Sequence, residues 1–199
     1  MKVIGITGGI GSGKSTVMYM LEKAYGAVII LADKLGHLAM EKDSSTYKKM
    51  VSAFGIQILD CDGQIDRVVL ADILMADKEK LSIQNDIVHP FVIDRIKDKI
   101  EESRVQEKKL VCVESAILFE AGCDVLCDEV WLVTADPDVR VERLMRDRGY
   151  DRNKAYAFMN RQKPDSYYAE KCSRIIYNNG DIENLSKQLQ KHIEESMTM

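Results

Sequence analysis

Gly8-Gly9-Ile10-Gly11-Ser12-Gly13-Lys14-Ser15 fits the pattern G-x-x-x-x-G-K-[S/T], and its flanks fix the meaning of the match. Before it, Lys2 to Thr7 reads KVIGIT, a short apolar run of the kind buried on both faces of a parallel sheet. After it, Val17, Met20, Leu21 and Ala24 recur at spacings of three and four between Lys14 and Tyr25. That is an amphipathic helix, which Gly26 is placed to stop. AVIIL, Ala27 to Leu31, is a second buried strand. Strand, glycine loop, helix and strand form a right-handed βαβ unit and point to an α/β fold around a parallel sheet.

The loop dictates the ligand. Its glycines let successive backbone N–H groups turn inward around a polyphosphate, and the helix starting near Gly13 adds its positive dipole end. The cradle is expected to run from Gly8, Gly9, Gly11, Ser12 and Gly13 through Lys14, Ser15 and Thr16. Lys14 is placed to bridge the β- and γ-phosphates of a nucleoside triphosphate, and the Ser15 hydroxyl to ligate Mg²⁺. No G-x-G-x-x-G can be read here, which disfavours a dinucleotide.

The rest of the chain narrows the class of nucleotide user. Asp60-Cys61-Asp62-Gly63 matches D-x-x-G, but no N-K-x-D follows to read guanine. A tight hairpin across GIQILDCDGQID explains the Asp62-Gly63 pair equally well. Around it the patterns predict helices over Leu38 to Phe54, Arg67 to Met75, and Lys78 to Val88 ending near His89-Pro90, then a charged helix from Phe91 to Gln106. Sheet strands resume at Leu110 to Ser115, Asp128 to Ala135 and Arg174 to Gly180, and Ile182 to Ile193 closes the chain as an amphipathic helix. With 199 residues there is room for one nucleotide core and two short substrate-closing elements, which suits a small-molecule kinase better than a motor or transporter.

Composition removes other classes. A net charge of −4 argues against a surface built for nucleic acid. No apolar run approaches a membrane span, and MKVIGITGG does not read as a signal peptide, so the expected compartment is the cytoplasm. Five cysteines without CxxC spacing and three scattered histidines suggest neither a disulfide framework nor a metal cluster. Charge is nonetheless uneven. Arg140 to Lys163 holds eight Lys+Arg against three Asp+Glu, a local +5 that leaves −9 elsewhere. Arg140, Arg143 and Arg146 follow at i, i+3 on a predicted helix. Two readings stand: a lid closing on ATP phosphates, or a solvated face paired with Glu142, Asp147 and Asp151.

Several motifs resemble one family. TGGIGSGKS at Thr7 to Ser15, DGQIDR at Asp62 to Arg67 with Leu70 behind it, IVHP at Ile87 to Pro90 and ILFEAG at Ile117 to Gly122 look like dephospho-coenzyme A kinases. RLM at Arg143 to Met145, Gln162 and Asn178-x-Gly180 complete the series in order. The resemblance implies an α/β P-loop kinase with a parallel five-stranded sheet flanked by helices. It also implies a mostly helical acceptor-binding insertion over 35–106 and a basic lid over 138–165. ATP, Mg²⁺ and dephospho-CoA are the implied small molecules, with transfer of the γ-phosphate to the ribose 3′-hydroxyl. Catalytic roles then fall to Lys14, Asp33, Arg140 and Arg143, and acceptor contacts to Arg67 and His89.

Each of these residues carries an alternative. Asp33, at the end of a predicted core strand, either orients the 3′-hydroxyl and takes its proton or caps the helix starting at Lys34. His89 either meets the acceptor or caps the helix before it, and Arg67 either does so or pairs with Asp62 or Asp66. Glu114 either holds water bound to Mg²⁺ or is an ordinary strand-end carboxylate. Where the family commonly has Asp-Ala-Asp, this chain has Leu31-Ala32-Asp33; Glu114 replaces an Asp, and Cys172-Ser173 an Ala-Asp.

Overall fold

A computed structural model describes residues 1–198 and divides the chain into two compact units. One comprises Met1–Ile30 and the chain from Ile100 onward; the other is Leu31–Lys99. The first is built on a five-stranded sheet. In chain order its elements begin β1 (Lys2–Thr7), α1 (Lys14–Tyr25) and β2 (Val28–Leu31). After the second unit come β3 (Leu110–Glu114) and β4 (Glu129–Thr134), and later β5 (Arg174–Tyr177).

The strand order is β2-β3-β1-β4-β5, with β1 parallel to both β3 and β4, and β4 parallel to β5. Parallel register brings Thr7, Glu114, Thr134 and Tyr177 to the C-terminal edge, where open α/β sheets place ligands. Ile4, Ile6, Val111, Cys112, Val113, Trp131, Leu132 and Ile176 are buried on the strands, as expected for a sheet covered on both faces. Burial pushes the Cys112 thiol up to about 12, leaving it a packing group.

Glu129 ties the sheet to the last helix. Its carboxylate accepts from Trp131 Nε1 (3.0 Å), Arg174 Nε (3.1 Å) and Ser196 Oγ (3.0 Å), and Lys2 Nζ lies 3.1 Å away. Burial raises its pKa, but the hydrogen bonds from Trp131, Lys2, Ser196 and Arg174 outweigh that and bring it from 4.5 to about 2. Because the folded value lies below the unfolded one, stability present above pH 4.5 is lost as the pH falls toward 2, at most about 3 kcal/mol. Thermal melts of Glu129→Gln are expected to show a shallower acid slope across that window; an unchanged slope would assign the loss to other carboxylates.

The second unit is helical, and three expectations are corrected in it. The helix expected over Leu38 to Phe54 is two helices, α2 (Ala32–Ala39) and α3 (Ser45–Phe54). Ser44 separates them: its Oγ donates to the Ala39 carbonyl (2.9 Å) and accepts the Tyr47 N–H (2.9 Å), so one side chain closes α2 and caps α3. The expected hairpin shrinks to one antiparallel bridge, Leu59 to Ile65. Backbone bonds from Asp60 N–H to the Gln64 carbonyl and from Asp66 N–H to the Ile58 carbonyl (both 2.8 Å) flank it. Asp60 Oδ1 takes the N–H groups of Asp62 (2.9 Å) and Gln64 (2.8 Å) within the turn, and Gly63 supplies the positive φ of 73°.

After α4 (Arg67–Ala76), capped by Asp66, α5 (Lys78–Val105) runs unbroken through Pro90, where the sequence predicted a stop. Val88, Val92, Ile96 and Ile100 are buried at intervals of four. That continuous stripe outweighs the roughly 3 kcal/mol cost of an internal proline. Pro90 itself is exposed.

Candidate active site

The glycine motif leaves β1 and enters α1 as the periodicity predicted. Gly8, Gly11 and Gly13 have φ of 147°, 79° and 93°, values that side-chain-bearing residues rarely adopt. Lys14 Nζ folds back onto the loop, donating to the carbonyls of Gly8 (2.8 Å) and Gly9 (3.4 Å), and stands 3.7 Å from Glu114 Oε1. Lys14 at the start of α1 and Glu114 at the end of β3, assigned separately from sequence, are thus neighbours. The hydroxyls of Thr7 and Ser12 are buried and make no hydrogen bond among the described residues, unusual for polar groups that serve only the fold.

The basic segment grips this loop from outside. It forms α6 (Pro137–Arg148) and α7 (Arg152–Asn160), followed by the short α8 (Asp165–Ala169). Arg140, with its side chain only 8% exposed, donates from Nε to the Ile10 carbonyl (2.9 Å) and places Nη1 3.4 Å from Asp165 Oδ1. Asp165 is in turn hydrogen-bonded by the Thr134 hydroxyl at the end of β4. Burial lowers the Arg140 pKa and Asp165 opposes that, yet a guanidinium stays charged at any physiological pH.

Arg143 Nη1 reaches the Gly11 (3.4 Å) and Ser12 (3.3 Å) carbonyls, and Nη2 the Asn178 carbonyl (2.8 Å). Asn178 Nδ2 donates to the same Ser12 carbonyl (2.8 Å), and Gln162 Oε1 accepts the Ile10 N–H (2.7 Å). Arg146 instead pairs with Asp147 on the exposed face, as the solvated reading of the helix expects, whereas Arg140 and Arg143 turn to the loop carbonyls.

Planar trans peptides turn these contacts into an orientation. A peptide's C=O and N–H point opposite ways, so a carbonyl held outward turns the next N–H inward. Arg140 on the Ile10 carbonyl therefore sends the Gly11 N–H into the loop. Asn178 and Arg143 on the Ser12 carbonyl do the same for Gly13. At the Gly9–Ile10 peptide the sense reverses: Gly9 oxygen accepts from Ser12 N–H (3.2 Å) and Lys14, while Ile10 N–H faces Gln162. The nest of amides is thus set by side chains from α6 and from the segments after α7 and β5.

Gly9 shows how close this packing is. A Cβ there would lie 2.0 Å from Arg140 Nη2, and Gly9 has no positive φ to add strain of its own. Gly9→Ala is expected to evict Arg140 from the Ile10 carbonyl and Asp165, lowering kcat/KM about 10- to 100-fold, the worth of a charge-assisted hydrogen bond. In an Arg140→Ala background the same substitution should cost little; full cost there would show that Gly9 acts independently of Arg140.

The remaining predicted residues lie in the second unit or on strand ends. Asp33 is exposed in the first turn of α2 and does not cap it, because the capping position is Leu31. Arg67 is the first residue of α4 and exposed, and the carboxylate of Asp66 beside it is engaged by the N–H groups of Val68 and Val69. His89 sits inside α5 and caps nothing; burial lowers its pKa against the pull of Asp86. Ser15 is exposed in the first turn of α1. The sequence marks Gln162 and Asn178 only through the family resemblance and carries no signal for Asp165.

A family model described as dephospho-CoA kinase matches residues 2–184. The chain is 36% identical over 189 residues to a dephospho-CoA kinase of Carboxydothermus hydrogenoformans, covering 95% of this chain and 91% of that one. A solved Thermus thermophilus structure superposes with a TM-score of 0.82 at 30% identity, over 98% of this chain and 97% of that one. A Campylobacter jejuni dephospho-CoA kinase shares the fold, with a TM-score of 0.71 at 24% identity over 100% and 98% of the two chains. The match starts with β1, takes in the loop and every residue found gripping it, and ends beyond β5: the chain belongs to the dephospho-CoA kinase family.

Proposed function

We propose that this chain transfers the γ-phosphoryl group of ATP to the ribose 3′-hydroxyl of dephospho-CoA, releasing CoA and ADP. The observation that carries the reading is the loop whose Gly11 and Gly13 amides are turned inward by Arg140, Arg143 and Asn178. Inward amides with Lys14 at the rim suit a triphosphate, and family membership supplies the acceptor. Thr7 and Ser12, buried and unbonded among the described residues, stand in the same loop.

Phosphoryl transfer of this kind has a loose transition state, so the protein's work is placement and charge neutralisation rather than covalent chemistry. Lys14 supplies the positive charge at the β- and γ-phosphates. Arg140 and Arg143 hold the loop rigid and add two guanidinium charges behind it, while the basic segment over 138–165 acts as the lid that excludes water. Asp33 orients the acceptor hydroxyl and takes its proton, and the helical segment over 35–106 carries the acceptor, with Arg67 and His89 as contacts. The Ser15 hydroxyl is an oxygen donor of the kind Mg²⁺ prefers and would hold that ion, with the Glu114 carboxylate holding its water; the ion would supply positive charge against the phosphates. No helix among the described residues is long and apolar enough to cross a membrane, and we place the reaction in the cytoplasm.

The test is ADP release measured with dephospho-CoA, with AMP, with nucleosides and with no acceptor. Release that depends on dephospho-CoA is expected. Equal release without any acceptor would make the chain a nucleotide-hydrolysing switch, and dependence on another acceptor would make it a different small-molecule kinase.

A further inference from the structure

Asn178 stands apart from the other residues that touch the loop. It follows β5, is 6% exposed, and its own N–H is fixed to the Thr134 carbonyl at 2.8 Å. Its side chain donates to the Ser12 carbonyl at 2.8 Å. Its backbone carbonyl and Oδ1 receive Arg143 Nη2 at 2.8 and 3.5 Å. Its Nδ2 lies 2.1 Å from where a Gly13 Cβ would be, so the amide rests directly on the Gly13 backbone.

We infer that Asn178 is the positioning residue of the phosphate loop: anchored to the sheet through Thr134, it turns the Ser12–Gly13 peptide so that the Gly13 N–H faces phosphate, and it aims Arg143. The proposal rests on the reading that this loop binds ATP, and it adds a residue to which no role had been assigned. Arginine alone would not suffice, because Arg143 reaches the Ser12 carbonyl at 3.3 Å with a flexible side chain. The Asn178 amide is shorter, buried and tied to β4 at its own backbone. An Asp in its place has the same shape but presents no donor to the Ser12 carbonyl.

The experiment compares Asn178→Asp and Asn178→Ala with the unmodified protein by calorimetry, using MgATP, magnesium tripolyphosphate and dephospho-CoA as separate ligands. Both variants are expected to weaken MgATP and tripolyphosphate by the same factor, about tenfold as for one lost hydrogen bond, and to leave dephospho-CoA within twofold. Asn178→Asp keeps the packing volume, so it reads out even if Asn178→Ala folds poorly. Loss for ATP alone, with tripolyphosphate unaffected, would mean that Asn178 serves the nucleoside and would overturn the proposal. So would equal loss for all three ligands, which marks general destabilisation, or no loss at all. Failure of the unmodified protein to bind either phosphate ligand would instead overturn the underlying ATP reading.

Discussion

Lys14→Ala is expected to lower kcat/KM by about 10²- to 10³-fold, the range seen when one preorganised donor to developing charge is removed. Two losses combine in it. The ammonium that would meet the β- and γ-phosphates disappears, and so does the bond that draws the Gly8 and Gly9 carbonyls toward one point, at 2.8 and 3.4 Å. The Glu114 carboxylate, 3.7 Å from that nitrogen, also loses this ion pair. Stability should change little, because α1 is held by the buried side chains of Val17, Met18 and Leu21 rather than by Lys14. Steady-state kinetics with a parallel thermal melt checks this. Product formation at the unmodified rate would show that the loop is only a structural turn.

Asp33→Asn is expected to reduce kcat by about 10²- to 10⁴-fold, the span for a positioned general base, while the affinity for MgATP stays unchanged. The structure removes the competing use of this carboxylate: α2 begins at Ala32 with Leu31 in the capping position, so Asp33 has no capping bond to lose. The helix should therefore survive the substitution. Asparagine keeps the size and can still orient a hydroxyl through its carbonyl oxygen, but it cannot take a proton. Near-normal turnover would leave Asp33 an orienting role at most and move proton transfer elsewhere. Calorimetry with MgATP separates a fall in chemistry from a fall in binding.

Local rules read the first unit well and the second poorly. β1, the loop and α1 were legible because glycine spacing and three-and-four periodicity are properties of adjacent residues. The same logic failed at Pro90, where the local rule says stop but burial of Val88, Val92, Ile96 and Ile100 along one stripe carries α5 through. It failed again at Ser44, a short polar residue inside an apparent helical pattern that in fact both ends α2 and starts α3.

At the site, the loop residues and Arg140 and Arg143 were legible as types, but their targets were not. Sequence assigned the arginines to phosphate or to solvent, whereas both donate to loop carbonyls. Asn178 meets Ser12 across 166 residues and Gln162 meets Ile10 across 152, distances over which no periodicity speaks. The β1-β4-β5 strand order brings Asn178 beside the loop, and Gln162 reaches it from the segment after α7.

The most direct measurement is the phosphorus NMR spectrum of the product made from ATP and dephospho-CoA. A new monoester resonance coupled to the ribose 3′-proton, growing in step with ADP, is the predicted result. Inorganic phosphate alone, or a phosphoryl group on any other oxygen, would contradict it.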